Sequence, residues 1–120
     1  GIKAGFPSPA ADFEELKLSL DHLLVKNREA TFYAKASGNS MIGAGIDDGD
    51  ILVIDRSLEP RNNAIAVCLI DGEFTVKRIK KDNDEVYLMP ENSQYQPIKI
   101  EEENELIIWG IVTYAIKQMK

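Results

Sequence analysis

A succession of short β-type runs, each closed by turn residues, constrains this chain more than any other feature. Thr31 to Ala36, Ile51 to Ile54, Ile65 to Ile70, Phe74 to Ile79, Val86 to Met89 and Leu106 to Ile116 are rich in β-branched, aromatic and aliphatic residues. Between them stand Asp47-Asp48-Gly49-Asp50, Asn62-Asn63, Asp71-Gly72, Asp82-Asn83-Asp84 and Pro90-Glu91-Asn92, residues that tolerate or favour turn conformations. Asp71-Gly72 between two apolar runs is the strongest hairpin signal, because both residues accept the positive φ of a tight two-residue turn. Gly110 inside the last run predicts a bulge or sharp bend. No internal repeat or low-complexity segment interrupts the series. The pattern predicts a mainly β, coiled or barrel-like single domain.

The N-terminal part reads differently. Residues 1–12 read as an extended arm, because Pro7 and Pro9 forbid a helix. Residues 13–120 form the β domain. Leu16, Leu18 and Leu20 alternate with Lys17 and Ser19 as in a half-buried strand, and Ser19 is placed to cap a brief helix carrying Leu23 and Leu24. Gly1 stands where an initiator Met would, so the chain reads as an excised or processed fragment, which leaves room for a missing N-terminal piece.

Composition excludes several function classes. At 120 residues, with 44% hydrophobic and 28% charged, the chain is an ordinary globular domain able to bury one core without staples. Its net charge of −6 argues against strong direct DNA binding, since counterion release needs clustered Lys and Arg. The one basic stretch, Lys77-Arg78-Ile79-Lys80-Lys81, runs straight into acidic residues. A single cysteine, Cys68, permits neither an internal disulfide nor a cysteine zinc site, and its apolar surroundings point to a buried, inert thiol. No segment has the ~18 apolar residues that span a bilayer, and a reducing, cytoplasmic setting fits. His22 is the lone histidine and nothing near it completes a triad or a metal site, so it reads as structural or surface. Asp47-Asp48-Gly49-Asp50 lacks EF-hand spacing and reads as a turn that satisfies its own amides. No metal or cofactor is called for.

Ser37-Gly38-Asn39-Ser40-Met41 joins a β run to a loop punctuated by Gly43 and Gly45. A tight turn here can project Ser40 outward and aim successive backbone N–H groups at one point, the geometry of an oxyanion hole beside a nucleophile. On its own the cluster is only a turn. Lys77 adds a possible base. Strand alternation puts Thr75, Lys77 and Ile79 on one face, where Lys77 either meets solvent or is held against apolar neighbours. In the second case desolvation lowers its pKa from ~10.4 towards neutrality. The free amine can then accept a serine proton, with Thr75 placed to orient it.

Several segments, in order, resemble the UmuD branch of the LexA/UmuD-like S24 serine peptidase family. They are Gly5-Phe6-Pro7-Ser8-Pro9-Ala10-Ala11-Asp12, Lys35-Ala36-Ser37-Gly38-Asn39-Ser40-Met41, Asp48-Gly49-Asp50, Asp71-Gly72-Glu73-Phe74-Thr75-Val76-Lys77-Arg78 and Pro90-Glu91-Asn92-Ser93. The resemblance runs from about residue 4 to the C-terminus. It implies Ser40 as nucleophile, Lys77 as general base, the Asn39 and Ser40 amides as oxyanion hole and Thr75 as the lysine-supporting hydroxyl. It further implies self-cleavage at the Ala4–Gly5 bond. About 35 residues separate Gly5 from Ser40 and span up to ~115 Å when extended, so cleavage within a chain or across a dimer is sterically open. Implied partners are a second copy in a homodimer, a RecA filament on single-stranded DNA as trigger, and a Y-family translesion polymerase. One departure is Asn63-Ala64 where the family usually has a Gly-containing pair; Asn tolerates the left-handed conformation required there. A rival reading is the cleavage and dimerisation domain of a LexA- or phage-repressor-like transcription factor.

Overall fold

The computed structural model of the chain describes residues 19–120. The arm, the Ala4–Gly5 bond, Leu16 and Leu18 therefore lie outside the described residues. Helix α1 (Leu20–Leu24) is followed by strands β1 (Thr31–Lys35), β2 (Ile51–Asp55), β3 (Ile65–Ile70), β4 (Glu73–Asp82), β5 (Glu85–Met89), β6 (Ile98–Lys99) and β7 (Leu106–Ile116). All neighbours pair antiparallel in one seven-stranded sheet of order β1-β2-β7-β3-β4-β5-β6. The chain is thus a mainly β domain, as its run-and-turn pattern predicts.

Most turn chemistry follows the sequence. Asp71 (φ 48°) and Gly72 (φ 85°) make the two-residue connection that sets Ile70 opposite Glu73, the primed geometry whose twist matches paired strands. Asn63 takes φ 74°, so the departure from the family's glycine keeps the left-handed turn. Ser19 does precede a short helix, although its side chain makes no capping hydrogen bond. Leu20 belongs to that helix and not to a strand; it is 70% exposed, and local i→i+4 bonding prevails where no neighbouring strand supplies a ladder. The two-residue β6 was not legible, because Ile98-Lys99 is too short to show alternation.

The sheet buries side chains on both faces. On β3, Val67 joins one cluster with Ala36, Met41, Ile46, Leu52 and Ile54, while Ala66 and Cys68 join another with Ile79, Leu88 and Ile111. That division follows the two-residue period of a strand. β7 is central and long because it serves two partners: Leu106 to Ile111 pair with β3, and Ile111 to Ile116 pair with β2. Its length is therefore used within one chain and does not by itself imply a contact between copies. The ladder shifts register opposite Val67/Cys68 and again opposite Val53/Ile54, leaving Trp109 and Thr113 as the extra residues of two bulges. Bulges sharpen local twist, and Trp109 and Val112 at these two pack against the first cluster.

Gly110, beside the first bulge, marks a close approach. A Cβ there would stand 2.5 Å from Ile54 Cγ2 and 3.3 Å from Arg56 Cγ. Ile54 is fully buried and has nowhere to retreat. Gly110→Ala is expected to destabilise the domain by about 1–3 kcal/mol, the usual range for overpacking. Urea denaturation should show a lower midpoint with an unchanged slope.

Candidate active site

The Ser40 loop is anchored from below by apolar side chains. Met41 and Ile46 are buried in the first cluster, which plugs the loop into the core on either side of the short 3-10 turn Ile42–Ala44. The turn Asp47-Asp48-Gly49-Asp50 secures the other end. The Asp50 amide donates to Asp47 O (3.0 Å), the Asp47 amide to Asp50 Oδ2 (2.8 Å) and the Gly38 amide to Asp48 Oδ1 (2.8 Å). Lys117 near the C-terminus donates to Asp47 Oδ2 at 2.9 Å and also to Asp50. The loop thus satisfies its own amides, as expected of a turn, and holds the segment leading to Ser40.

A second loop meets the first from β5, and sequence reasoning gave it no role. The Glu91 amide donates to Ser40 O (2.8 Å), the Gly43 amide to Glu91 O (2.7 Å) and Asn92 Nδ2 to Asn39 O (2.9 Å). Gly43 permits this contact, since a Cβ there would lie 2.6 Å from Glu91 O. A trans peptide points its C=O and N–H in opposite directions. Fastening Asn39 O to Asn92 therefore turns the Ser40 N–H away from the 91–92 loop. Among the described residues, neither the Asn39 nor the Ser40 N–H donates to a protein acceptor.

Lys77 is brought to the same place by β4. It pairs across the ladder with Ala66, and Thr75 pairs with Cys68; both partners are fully buried. Lys77 is itself only 7% exposed. Its Nζ lies 3.1 Å from Ser40 Oγ, 2.6 Å from Thr75 Oγ1 and 3.2 Å from Val76 O. Burial of the ammonium holds the Lys77 pKa below that of a free lysine, with Cys68 opposing the shift. Burial likewise pushes the Cys68 thiol up to about 11, with Lys77 opposing.

The three acceptors match the three N–H donors of an ammonium group. When one proton leaves, Thr75 Oγ1 and Val76 O can keep the remaining two, and the lone pair then faces Ser40 Oγ. The structure thus brings together Ser40, Lys77 and Thr75, with the Asn39–Ser40 backbone beside them. His22 is on the exposed α1, remote in sequence from these elements.

Ser40 and Thr75 open onto a cleft of about 480 Å³ walled largely by apolar side chains. Trp109, the bulged residue of β7, forms its aromatic side. Phe32 meets it edge-on at 5.3 Å between ring centroids, Phe74 does so at 6.2 Å, and the Arg56 guanidinium lies 4.3 Å from the ring centroid. Sequence reading missed this wall because its members come from three separate strands and a bulge set by tertiary pairing. The cleft suits an extended apolar peptide next to a hydroxyl and a desolvated amine, an arrangement suited to acyl transfer from a peptide bond.

The chain is similar to known proteins over most of its length. The family described as Peptidase S24-like matches residues 1–113. Protein MucA of Salmonella typhimurium is 42% identical over 116 residues, covering 96% of this chain and 79% of MucA. Protein SamA of Salmonella typhimurium strain LT2 is 39% identical over 117 residues, covering 98% of this chain and 81% of SamA. Protein ImpA of Shigella flexneri is 37% identical over 119 residues, covering 98% of this chain and 80% of ImpA. A family match across nearly the whole chain, joined by relatives of this identity, places this chain in the Peptidase S24-like family.

Proposed function

We propose that this chain is a conditional self-cleaving serine–lysine peptidase of the UmuD type. Its trimmed form serves as the dimeric accessory subunit of an error-prone translesion DNA polymerase. The observation that carries the proposal is the shielded Lys77 amine at 3.1 Å from Ser40 Oγ, with Thr75 Oγ1 at 2.6 Å on its other side. In the proposed reaction neutral Lys77 takes the Ser40 proton as Oγ attacks the Ala4 carbonyl carbon. The Asn39 and Ser40 N–H groups receive the developing oxyanion. Lys77 then returns the proton to the departing Gly5 nitrogen, leaving Ala4 as an ester on Ser40. Water, deprotonated by Lys77, hydrolyses that ester, and the released piece ends at Ala4.

The biological setting rests on the resemblance to the UmuD branch. In this reading a RecA filament on single-stranded DNA in the cytoplasm triggers cleavage, and a Y-family polymerase receives the homodimer. Among the described residues no helix is long and apolar enough to cross a membrane. The relatives favour this reading over the repressor one. The chain spans about four fifths of MucA, SamA and ImpA, and the remaining fifth of those proteins is smaller than the ~60 residues of a helix-turn-helix domain.

A lysine base works as the neutral amine, and burial lowers the pKa at which Lys77 reaches that form. Self-cleavage after Ala4 should accelerate from neutral to alkaline pH and level off below ~10.4, the value of a free lysine. Ser40→Ala and Lys77→Ala should each abolish it, because neither group works alone. Mass spectrometry across the pH range reads both. A flat profile, or a Lys77→Ala protein that still cuts, would remove Lys77 as the base. Thr75→Val should slow cleavage by on the order of tenfold through misplacement of the amine.

The same shift has a stability consequence of definite sign. Between the folded pKa of Lys77 and ~10.4 the unfolded chain binds more protons, so stability from this group rises with pH. Lys77→Met should therefore be more stable than the parent at pH 7, with the gap narrowing towards pH 10 in thermal melts.

For the assembly, Tyr114 and Ile116 are partly exposed at the end of β7, and Met119 just beyond is 90% exposed. We place the two-fold contact there. Sedimentation should give a dimer at micromolar concentration, and Met119→Glu with Ile116→Glu should shift it to monomer.

A further inference from the structure

Arg78 follows the candidate base in sequence, and its side chain reaches the loop that holds the candidate nucleophile. Its Nε donates to Glu91 Oε1 at 2.6 Å and its Nη1 to Asn63 O at 2.6 Å. The register explains the reach: Arg78 pairs with Met89 at the end of β5, and Glu91 lies just beyond that end. Glu91 in turn bonds the Ser40 loop twice through its backbone, donating to Ser40 O and accepting from the Gly43 amide. Asn92 beside it holds Asn39 O.

A polar path thus runs from the β4 backbone next to Lys77, through Arg78 and Glu91, to the backbone of Ser40. It is independent of the Lys77–Ser40 contact. A lysine amine rides on a flexible four-carbon stem, so its own hydrogen bond fixes the serine position poorly. A guanidinium fork held at two acceptors is far stiffer.

We propose that Arg78 and Glu91 are positioning residues of the S24-type site. Through the 91–92 loop they set the distance between Ser40 Oγ and Lys77 Nζ and the direction of the Ser40 N–H. The ion pair is about one-third exposed on both sides, so its part in global stability is small, whereas reaction rates respond to sub-ångström placement. Arg78 and Glu91 touch no reacting atom; they act only through Ser40. This inference rests on the serine–lysine reading of the site, and its test reports on the two separately.

The test uses a small sulfonyl fluoride that sulfonylates an activated serine with release of fluoride, which makes it independent of the arm and of any trigger. The labelling rate of Ser40 is followed by mass spectrometry against pH for the parent, Arg78→Met, Glu91→Gln and the double variant, with thermal melts alongside. The expected result is a plateau rate lowered by on the order of tenfold in each single variant. The double variant should be no slower than the worse single, because the two residues act as one unit. Arg78→Lys, which keeps the charge without the fork, should recover only part of the rate. Melting temperatures should move little, and Glu91→Gln, which is nearly isosteric, guards against a misfolded Arg78→Met.

Parent-like labelling in folded single variants would overturn the positioning role while leaving the serine–lysine reading intact. Lowered melting temperatures with unchanged labelling would do the same, by reducing the pair to a structural contact. A parent protein unlabelled at every pH would overturn the serine–lysine reading and this inference with it.

Discussion

A buried lysine needs an acceptor for every proton it carries, and much of this domain's polar detail serves that need for Lys77. A strand supplies only part of the solution. The ladder places Ala66 and Cys68 against β4 and strips water from the ammonium, while Thr75 and the Val76 carbonyl take two of its protons. The third acceptor, Ser40, arrives from a loop more than thirty residues earlier, and the loop must be held there by something other than the lysine. Desolvation and completion of the acceptor set therefore act together. Burial without Ser40 would leave a donor unmet, and Ser40 without burial would face a fully hydrated, protonated amine.

The loops around Ser40 show how such placement is achieved with few residues. Met41 and Ile46 fix the loop to the core from beneath, the Asp47–Asp50 turn ties its far end to Lys117, and Glu91 with Asn92 holds its carbonyls from the side. Each tether acts on a different part of the backbone. With its carbonyls engaged on one side, the peptide unit before Ser40 presents its N–H on the other. A flexible glycine-rich segment is made rigid by its surroundings and not by its own sequence.

What could be read from the sequence follows the same division. Strand limits such as Ile65–Ile70 and Leu106–Ile116, the Asp71-Gly72 hairpin and the left-handed Asn63 are local matters, set by alternation and turn preference within a few residues. Ser40 and Lys77 stood out because short motifs flank them. The sheet order is not local: nothing in β7 announces that it lies between β2 and β3. Gly110 marks the bulge beside it, but not that the bulge turns Trp109 into the cleft wall; nor does residue type mark the Arg78–Glu91 pair, whose members are ordinary surface charges until β5 brings them together. Leu20 misled because three alternating leucines resemble a strand until a ladder partner is sought. Glu91 was passed over because Pro90-Glu91-Asn92 reads as a simple turn, and its backbone contacts leave no trace in residue type.

Cys68 carries one more consequence. A thiol pushed up to about 11 remains protonated at physiological pH, and only the thiolate reacts readily with peroxide, disulfides or electrophiles. Fully buried on the strand paired with the one that carries Lys77, this sulfur resists oxidation even though it is the sole cysteine and sits beside the candidate centre. The candidate centre therefore holds a hydroxyl and an amine beside a thiol kept in its unreactive, protonated form.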